Sequence, residues 1–204
     1  ALSSVFLTAD ELSVRPQTQI ESAADVLIDT KNPLAIPADS SVLAKELAIK
    51  SPNLTNKGLL QGSNSVDLNA DRQLMNEGQI LSEGNLTIET AQLQNNGILQ
   101  AALGNFTIAD VSNAGGIWIA GPWTFLGDKA VNTGWLRVDG PWTGKFNTFE
   151  NLDGWLKGTS VDFKDPMRWL NKARMSFSGD VLLPQSTFEN VSADFYSGGN
   201  VTLD

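Results

Sequence analysis

Apolar and polar positions repeat along this chain with a period of about 19 residues. The clearest unit is an apolar residue, any residue and an asparagine, and five of the eight units have a glycine two positions after the asparagine. Apolar and polar positions alternate within each unit, as in Leu93-x-Asn95-x-Gly97-x-Leu99, which is typical of strands with one buried face. The repeated asparagines are Asn56, Asn76, Asn95, Asn113, Asn132, Asn151, Asn171 and Asn190.

A second motif runs in phase with the first, often as Gly-Asn followed by an apolar pair, as in Gly84–Ile88 and Gly104–Ile108. Trp142 and Phe146 take the place of one such pair. With that substitute, the pairs give about eleven units of the repeat. They are Leu12/Val14, Val26/Ile28, Leu47/Ile49, Val66/Leu68, Leu86/Ile88, Phe106/Ile108, Trp123/Phe125, Val161/Phe163, Val181/Leu183 and Val201/Leu203.

The length of the unit and the alternation of apolar and polar residues distinguish a β-solenoid from a helical repeat protein. About 19 residues are too few for two helices and a turn, and glycine and asparagine recur where they would weaken a helix. Repeated units of this kind bury their apolar faces by stacking on one another. The pattern therefore predicts an all-β fold, a parallel β-helix of about eleven coils with roughly 19 residues per coil. We expect the asparagines to form an inward-facing ladder, each hydrogen-bonded to the asparagines of neighbouring coils.

Composition limits the remaining possibilities. The 204 residues include 41% hydrophobic residues, enough for one elongated core, so residues 1–204 are expected to form a single β-helix domain. No apolar run approaches the roughly 18 residues of a membrane span. The net charge of −9 argues against nucleic acid or an anionic lipid surface as the main partner. Two prolines within 31–39 predict a loop that leaves the rod.

The character of the repeat changes near Val111. Fourteen of the sixteen aromatic residues, including all six tryptophans, lie in 111–204. Residues 1–110 hold 6 basic against 13 acidic residues, whereas residues 111–204 hold 8 against 10. We therefore distinguish a more regular part, 1–110, from an aromatic-rich, degenerate part, 111–204, which is the candidate binding region.

Alternation predicts which way each tryptophan faces. Trp123, Trp142 and Trp169 occupy positions that hold buried leucines in the regular coils, so they are expected in the core. The remaining tryptophans fall on outward positions of one face, beside basic residues. Exposed aromatic residues next to arginine are common at interface hot spots. The candidate binding residues are Trp118, Trp135, Arg137, Trp155 and Lys157.

Catalysis receives less support from the sequence. The chain has no histidine and no cysteine, so the usual bases, nucleophiles and metal ligands are missing, and no catalytic residue, cofactor or metal is expected. A polysaccharide lyase or hydrolase would have to use carboxylates with Lys or Arg. A structural spacer is the third possibility. The charged residues available to an enzyme are Asp139, Arg137, Lys157, Asp162, Asp165 and Arg168.

The sequence pattern of residues 74–91, LMNEGQILSEGNLTIETA, resembles the haemagglutinin repeat of filamentous haemagglutinin. The same repeat builds the stalks of contact-dependent growth inhibition effectors, which are two-partner-secreted surface proteins of Gram-negative bacteria. The resemblance covers roughly 43–110 and weakens from 111 onward. It implies a right-handed parallel β-helix, export through an outer-membrane secretion partner and display on the cell surface, with this chain as an internal piece of a longer fibre.

The resemblance also implies a function. Such a rod would recognise an outer-membrane receptor, either a protein or a glycan, on a neighbouring bacterium or host cell, within a fibre that can carry a C-terminal toxin. In the growth inhibition family a receptor-binding region follows a run of regular repeats, which would place its beginning near Val111. We expect a monomeric, non-catalytic rod that neither binds nucleic acid nor inserts into a membrane.

Overall fold

The computed structural model describes residues 3–165 and 167–203, which form a parallel β-solenoid of about ten turns of about 19 residues. The strand pairs along the rod are parallel, as between Leu74–Asn76 and Leu93–Asn95. The all-β, parallel coil predicted from the repeat is confirmed. The described residues contain no helix, and therefore none that is long and apolar enough to span a membrane.

The described part of the chain forms twenty strands, several of which continue around the corners of the coil. They are β1 (Val5–Ala9), β2 (Gln19–Glu21), β3 (Asp25–Thr30), β4 (Leu34–Ile36), β5 (Ser41–Asn56), β6 (Leu59–Asn76), β7 (Gln79–Asn95), β8 (Ile98–Asn113), β9 (Gly116–Ile119), β10 (Trp123–Leu126), β11 (Lys129–Asn132), β12 (Trp135–Lys145), β13 (Thr148–Asn151), β14 (Trp155–Phe163), β15 (Arg168–Asn171), β16 (Arg174–Phe177), β17 (Val181–Leu182), β18 (Thr187–Asn190), β19 (Phe195–Ser197) and β20 (Val201–Thr202).

Each turn contributes three segments, and each segment stacks on the same segment of its neighbours. In β6 these are 59–62, 65–70 and 73–76. We call the three stacks the patch face, the back face and the ladder face, in that order. Shifts of register fall between the segments, for example between Ala44 and Glu46. The corners therefore absorb differences in turn length while the three faces stay aligned.

The core runs along the inside of the coil and changes in character along the rod. Inward positions of the N-terminal turns are mostly aliphatic, whereas those of the C-terminal turns form an aromatic cluster. Trp142 stacks on Trp123 with ring centroids 4.9 Å apart and meets Phe163 edge to face at 5.3 Å. Trp123, Trp142 and Trp169 are between 0% and 3% exposed, which confirms their predicted place in the core.

Two apolar pairs were assigned to the wrong register. The segment that stacks on Val26–Thr30 is Val5–Ala9 and not Leu12/Val14, because a spacing of 14 residues is too short for a full turn. Likewise, the pair that stacks on Leu86/Ile88 is Gly104/Phe106 and not Phe106/Ile108. The corner between Ala101 and Leu103 is one residue shorter than the corner between Ser82 and Asn85, so Gly104-Asn105 lies within the strand segment of this turn.

The proline-containing segment 31–39 does not leave the rod, so that prediction was wrong. Its residues Leu34–Ile36 form β4, which pairs with Leu54–Asn56 on the ladder face. Leu34 and Ile36 are 1% and 0% exposed. Pro33 and Pro37 flank this short strand, so neither one interrupts its ladder of hydrogen bonds.

Candidate functional site

The repeated asparagines form a continuous hydrogen-bonded ladder inside the rod. From Asn56 to Asn171 their exposure is 0–1%, whereas Asn190 at the C-terminal end is exposed. Each side-chain Nδ2 donates to the Oδ1 of the next asparagine at 2.7–2.9 Å, from the Asn56 to Asn76 bond through the Asn171 to Asn190 bond. A buried amide with partners above and below couples consecutive turns of the coil.

Backbone contacts beside the ladder draw consecutive turns together at the same corner. The Asn76 carbonyl accepts hydrogen bonds from the amides of Asn96 and Gly97, at 2.8 and 3.0 Å. A Cβ on Gly97 would collide with the carbonyl oxygen of Gly78, so this close approach requires glycine. In the turn that contains Asn151 the glycine comes one residue later, and Gly154 lies against Gly134.

The five candidate binding residues lie on the patch face, in two adjoining outward rows. Trp135 is aligned with Trp155 in the first row, and Trp118, Arg137 and Lys157 are aligned in the second. Because aligned residues of parallel strands point to the same side of a sheet, these side chains share one surface. We call the surface formed by Trp118, Trp135, Arg137, Trp155 and Lys157 the tryptophan patch.

The two tryptophans of the first row differ in their surroundings. Trp155 is 40% exposed. The Trp135 ring lies across Gly116 of the preceding turn, where a Cβ would collide with the indole. No stacked pair of Trp135 with Trp155 occurs among the described residues. The patch therefore offers one indole lying across the sheet and a second, more exposed indole on the next turn.

Asp139 fixes the second row. Its carboxylate accepts a hydrogen bond from Trp118 Nε1 at 2.9 Å through Oδ2 and one from Arg137 Nε at 2.7 Å through Oδ1. The guanidinium carbon of Arg137 lies 5.1 Å from the centroid of the Trp118 ring, a cation–π distance. Because one carboxylate holds both side chains, Trp118 and Arg137 are oriented before any partner arrives.

The same contacts shift the ionisation of this group. The hydrogen bond from Arg137 lowers the pKa of the Asp139 carboxyl, against a smaller opposing effect of burial, and the Trp118 hydrogen bond and the Lys157 charge also lower it. Conversely, the hydrogen bond to Asp139 raises the pKa of Arg137. The pair is therefore ionised at neutral pH.

Sequence reasoning named Asp139 only among the charged residues available to an enzyme and did not predict its contacts with Trp118 and Arg137. The usable signal was its spacing from Arg137, since residues two apart on a strand share a face. Two further residues extend the rows toward the C-terminus: Arg174 is aligned with Trp155, and Tyr196, which is 65% exposed, follows Ser176 in the second row.

The charged residues available to an enzyme do not converge. Arg137 pairs with Asp139 on the patch face, whereas Asp162 pairs with Lys164 at 2.8 Å. Asp165 lies 3.6 Å from Lys145, and Arg168 lies 3.2 Å from Glu189. Within residues 3–165 and 167–203, no group of three or more His, Cys, Asp or Glu side chains is placed to hold a metal ion.

An open groove runs parallel to the rod axis at the corner between the ladder face and the patch face. The repeated glycines form its floor, and Trp135 and Trp155 line its C-terminal end. Near the other end, Lys57 pairs with Glu77 at 3.0 Å. The patch is therefore continuous with an extended, shallow depression. The floor glycines are Gly58, Gly78, Gly97, Gly115, Gly116 and Gly134.

Comparison with known proteins gives matches to one group. Over 90 residues, the chain is 36% identical to "Toxin CdiA" of Escherichia coli, which covers 43% of this chain and 3% of that protein. It is 35% identical over 89 residues to "tRNA nuclease CdiA" of Escherichia coli strain NC101, which covers 43% of this chain and 3% of that protein. It is 34% identical over 96 residues to "tRNA nuclease CdiA" of strain STEC_O31, which covers 47% of this chain and 3% of that protein. No protein-family model matches, so the haemagglutinin-repeat assignment stays a prediction, and no solved structure gives a significant match. The chain is thus similar, over a little under half its length, to a short segment of much longer CdiA proteins.

Proposed function

We propose that this chain is a non-catalytic binding rod of a secreted surface fibre, and that its tryptophan patch contacts an outer-membrane receptor on a neighbouring cell. The aromatic-rich part, 111–204, carries the recognition, while the regular part, 1–110, extends the rod. Export would require an outer-membrane secretion partner. A toxin, where the full protein has one, would lie outside this segment.

The observation that carries the proposal is the ordered cluster of Trp118, Arg137 and Asp139 beside two outward tryptophans. Tryptophan and arginine are the residues most enriched among interface hot spots. Side chains that are already oriented lose less entropy when they bind. The 2.7 Å and 2.9 Å hydrogen bonds to Asp139 supply that orientation here.

Similarity to CdiA proteins supports the same proposal from another direction. The matched relatives are named as toxins and tRNA nucleases, but the aligned region is about 3% of their length. We therefore transfer no toxin or nuclease activity to this segment. We propose instead that it belongs to the adhesin-like portion of a contact-dependent inhibition system.

The alternative of a polysaccharide lyase or hydrolase has less support. Such an enzyme needs two or more carboxylates or bases converging on one substrate bond. In this rod Asp162, Asp165 and Arg168 each pair with a different partner, away from Arg137 and Asp139. The charged residues are thus placed as separate ion pairs.

A cell-binding assay tests the proposal. Fluorescently labelled chain is incubated with Escherichia coli cells, binding is measured by flow cytometry, and unlabelled chain serves as competitor. We expect saturable binding that the unlabelled chain displaces. Detergent extracts of the same cells, passed over immobilised chain, should then yield one enriched outer-membrane component.

A panel of other Gram-negative bacteria and of host epithelial cells widens the search for the target. If labelled chain binds none of these cells in a saturable and competable way, the receptor-binding proposal is wrong. The spacer function would then be the better explanation.

A further inference from the structure

We propose that Arg137 and Lys157 together receive the carboxylate of an acidic side chain in a loop of a protein partner. This inference rests on the proposed function, because it names the chemistry that the tryptophan patch recognises. It concerns the second row of the patch, where the two basic side chains occupy aligned positions on consecutive turns.

The geometry of Arg137 leaves one edge of its guanidinium available. Its Nε donates to Asp139 Oδ1 at 2.7 Å, and its planar group lies over the Trp118 ring. Within the described residues, neither terminal nitrogen of Arg137 has a hydrogen-bond partner. Two parallel N–H donors on one edge match the two oxygens of a carboxylate, which gives a bidentate pair.

Lys157 adds a second positive charge beside that edge. It is aligned with Arg137, is exposed, and forms no ion pair with any described residue. Asp139 balances one of the two charges, which leaves the group with a local excess of one positive charge. At physiological ionic strength, charges act over about 8 Å, so this local excess counts for more than the net charge of the rod.

The shape of the surface favours a protein loop over a saccharide or other small ligand. Small-ligand sites are concave and bury most of the ligand. Here the basic pair lies on an outward sheet face, beside an open groove whose end is lined by Trp135 and Trp155. A loop can place one acidic side chain on Arg137 and lay apolar side chains along the two tryptophans.

A nuclear magnetic resonance titration tests the carboxylate site without any receptor. The folded, 15N-labelled chain is titrated with N-acetylglutamate amide, whose side-chain carboxylate is free, and separately with neutral N-acetylglutamine amide. We expect saturable shifts of the Arg137 Nε and Trp118 Nε1 signals with the glutamate compound only. Equal shifts with both compounds, or none with either, would overturn the inference even if the rod binds cells.

Variants at Arg137 supply matched controls for the titration and for cell binding. R137Q removes both the positive charge and the pair of parallel guanidinium N–H donors, whereas R137K keeps only the charge. We expect R137Q to weaken cell binding by about tenfold or more, the size expected for loss of a charged hydrogen-bonded pair, and R137K to be intermediate. Unchanged binding by R137Q would contradict the inference while leaving the tryptophan contacts of the proposed function intact.

Treatment of the target cells distinguishes the possible sources of the anion. Carbodiimide with ethanolamine converts surface carboxylates to neutral amides and leaves phosphates unchanged, while proteinase K removes exposed protein loops. We expect each treatment alone to abolish binding. Binding that survives amidation would indicate a phosphate, and binding lost on amidation but retained after proteolysis would indicate an acidic saccharide. Either result would overturn the assignment to a protein loop.

Discussion

Small residues make room for large ones at several points along the rod. Gly104 lies under the Trp123 ring and Gly116 under the Trp135 ring, because a Cβ at either glycine would collide with the indole one turn later. Inside the core, a Cβ on Gly158 would likewise collide with the Phe177 ring of the next turn. These glycines therefore have packing roles that a search for the repeat motif alone does not reveal.

At the ladder, replacing Asn95 by alanine should lower the free energy of unfolding by about 1–3 kcal/mol, because it removes the hydrogen bond that Asn76 Nδ2 donates to Asn95 and leaves the Oδ1 of Asn113 without a partner. Chemical denaturation monitored by circular dichroism measures the change. Asn96→Ala is the matched control, since Asn96 is the exposed neighbour of Asn95. Equal stability of the two variants would contradict the structural role of the ladder.

At Asp139, pH is the informative variable. The folded state lowers the pKa of this carboxyl below its ordinary value of 3.8, so its contribution to stability is present above that value and is lost as the pH falls through the folded pKa. The Trp118 indole N–H signal should therefore stay constant from about pH 7 to about pH 4 and shift only at lower pH. A transition between about pH 5 and pH 7 would contradict this account. In Asp139→Asn the acid shift should disappear.

Among the elements, the strands were predictable and the corners were not. Alternation and the asparagine spacing predicted the parallel coil, because both mark the inward-facing positions and these positions recur in every turn. Corners have no such constraint, so the pattern did not predict the shortened corner between Ala101 and Leu103 or the proline-flanked strand Leu34–Ile36. The same limit applied at the patch, where facing was deducible but the contact of Asp139 with Trp118 was not.

The aromatic cluster makes the C-terminal turns depend on a few large side chains. Trp142 is fully buried and contacts Trp123, Phe146, Phe163 and Trp169. Trp142→Ser should cost about 3–5 kcal/mol or more, because it opens a cavity and buries a hydroxyl group. Thermal unfolding checks this value, with Trp155→Ser as the control at a 40% exposed position. Similar losses for both variants would contradict the assigned facing.

At the scale of the whole molecule, the rod is a one-dimensional stack. Each turn packs on its neighbours, so its stability should be close to a sum over turns and their interfaces. The charge is distributed unevenly along the rod. Residues 1–110 hold 6 basic against 13 acidic residues, whereas residues 111–204 hold 8 against 10. The acidic end therefore lies away from the tryptophan patch.

Shortening the rod follows from this organisation. Removal of residues 1–42 should leave 43–204 folded, with cooperative unfolding and unchanged binding to target cells, because the contacts that it removes are confined to the first turns. Circular dichroism and the cell-binding assay measure both properties. Loss of cooperative β-structure in the shortened chain would contradict a solenoid with nearest-neighbour stability.

The central claim is that the tryptophan patch binds the target cell, and the most direct test is the double variant Trp135→Ser, Trp155→Ser. Leu103→Ser, Leu126→Ser is the matched control, since these leucines are 44% and 47% exposed and lie away from the patch. We expect the tryptophan variant to stay within about 1 kcal/mol of the parent in stability yet to lose attachment to target cells, and the leucine variant to retain both. Undiminished attachment of the folded tryptophan variant would contradict the account.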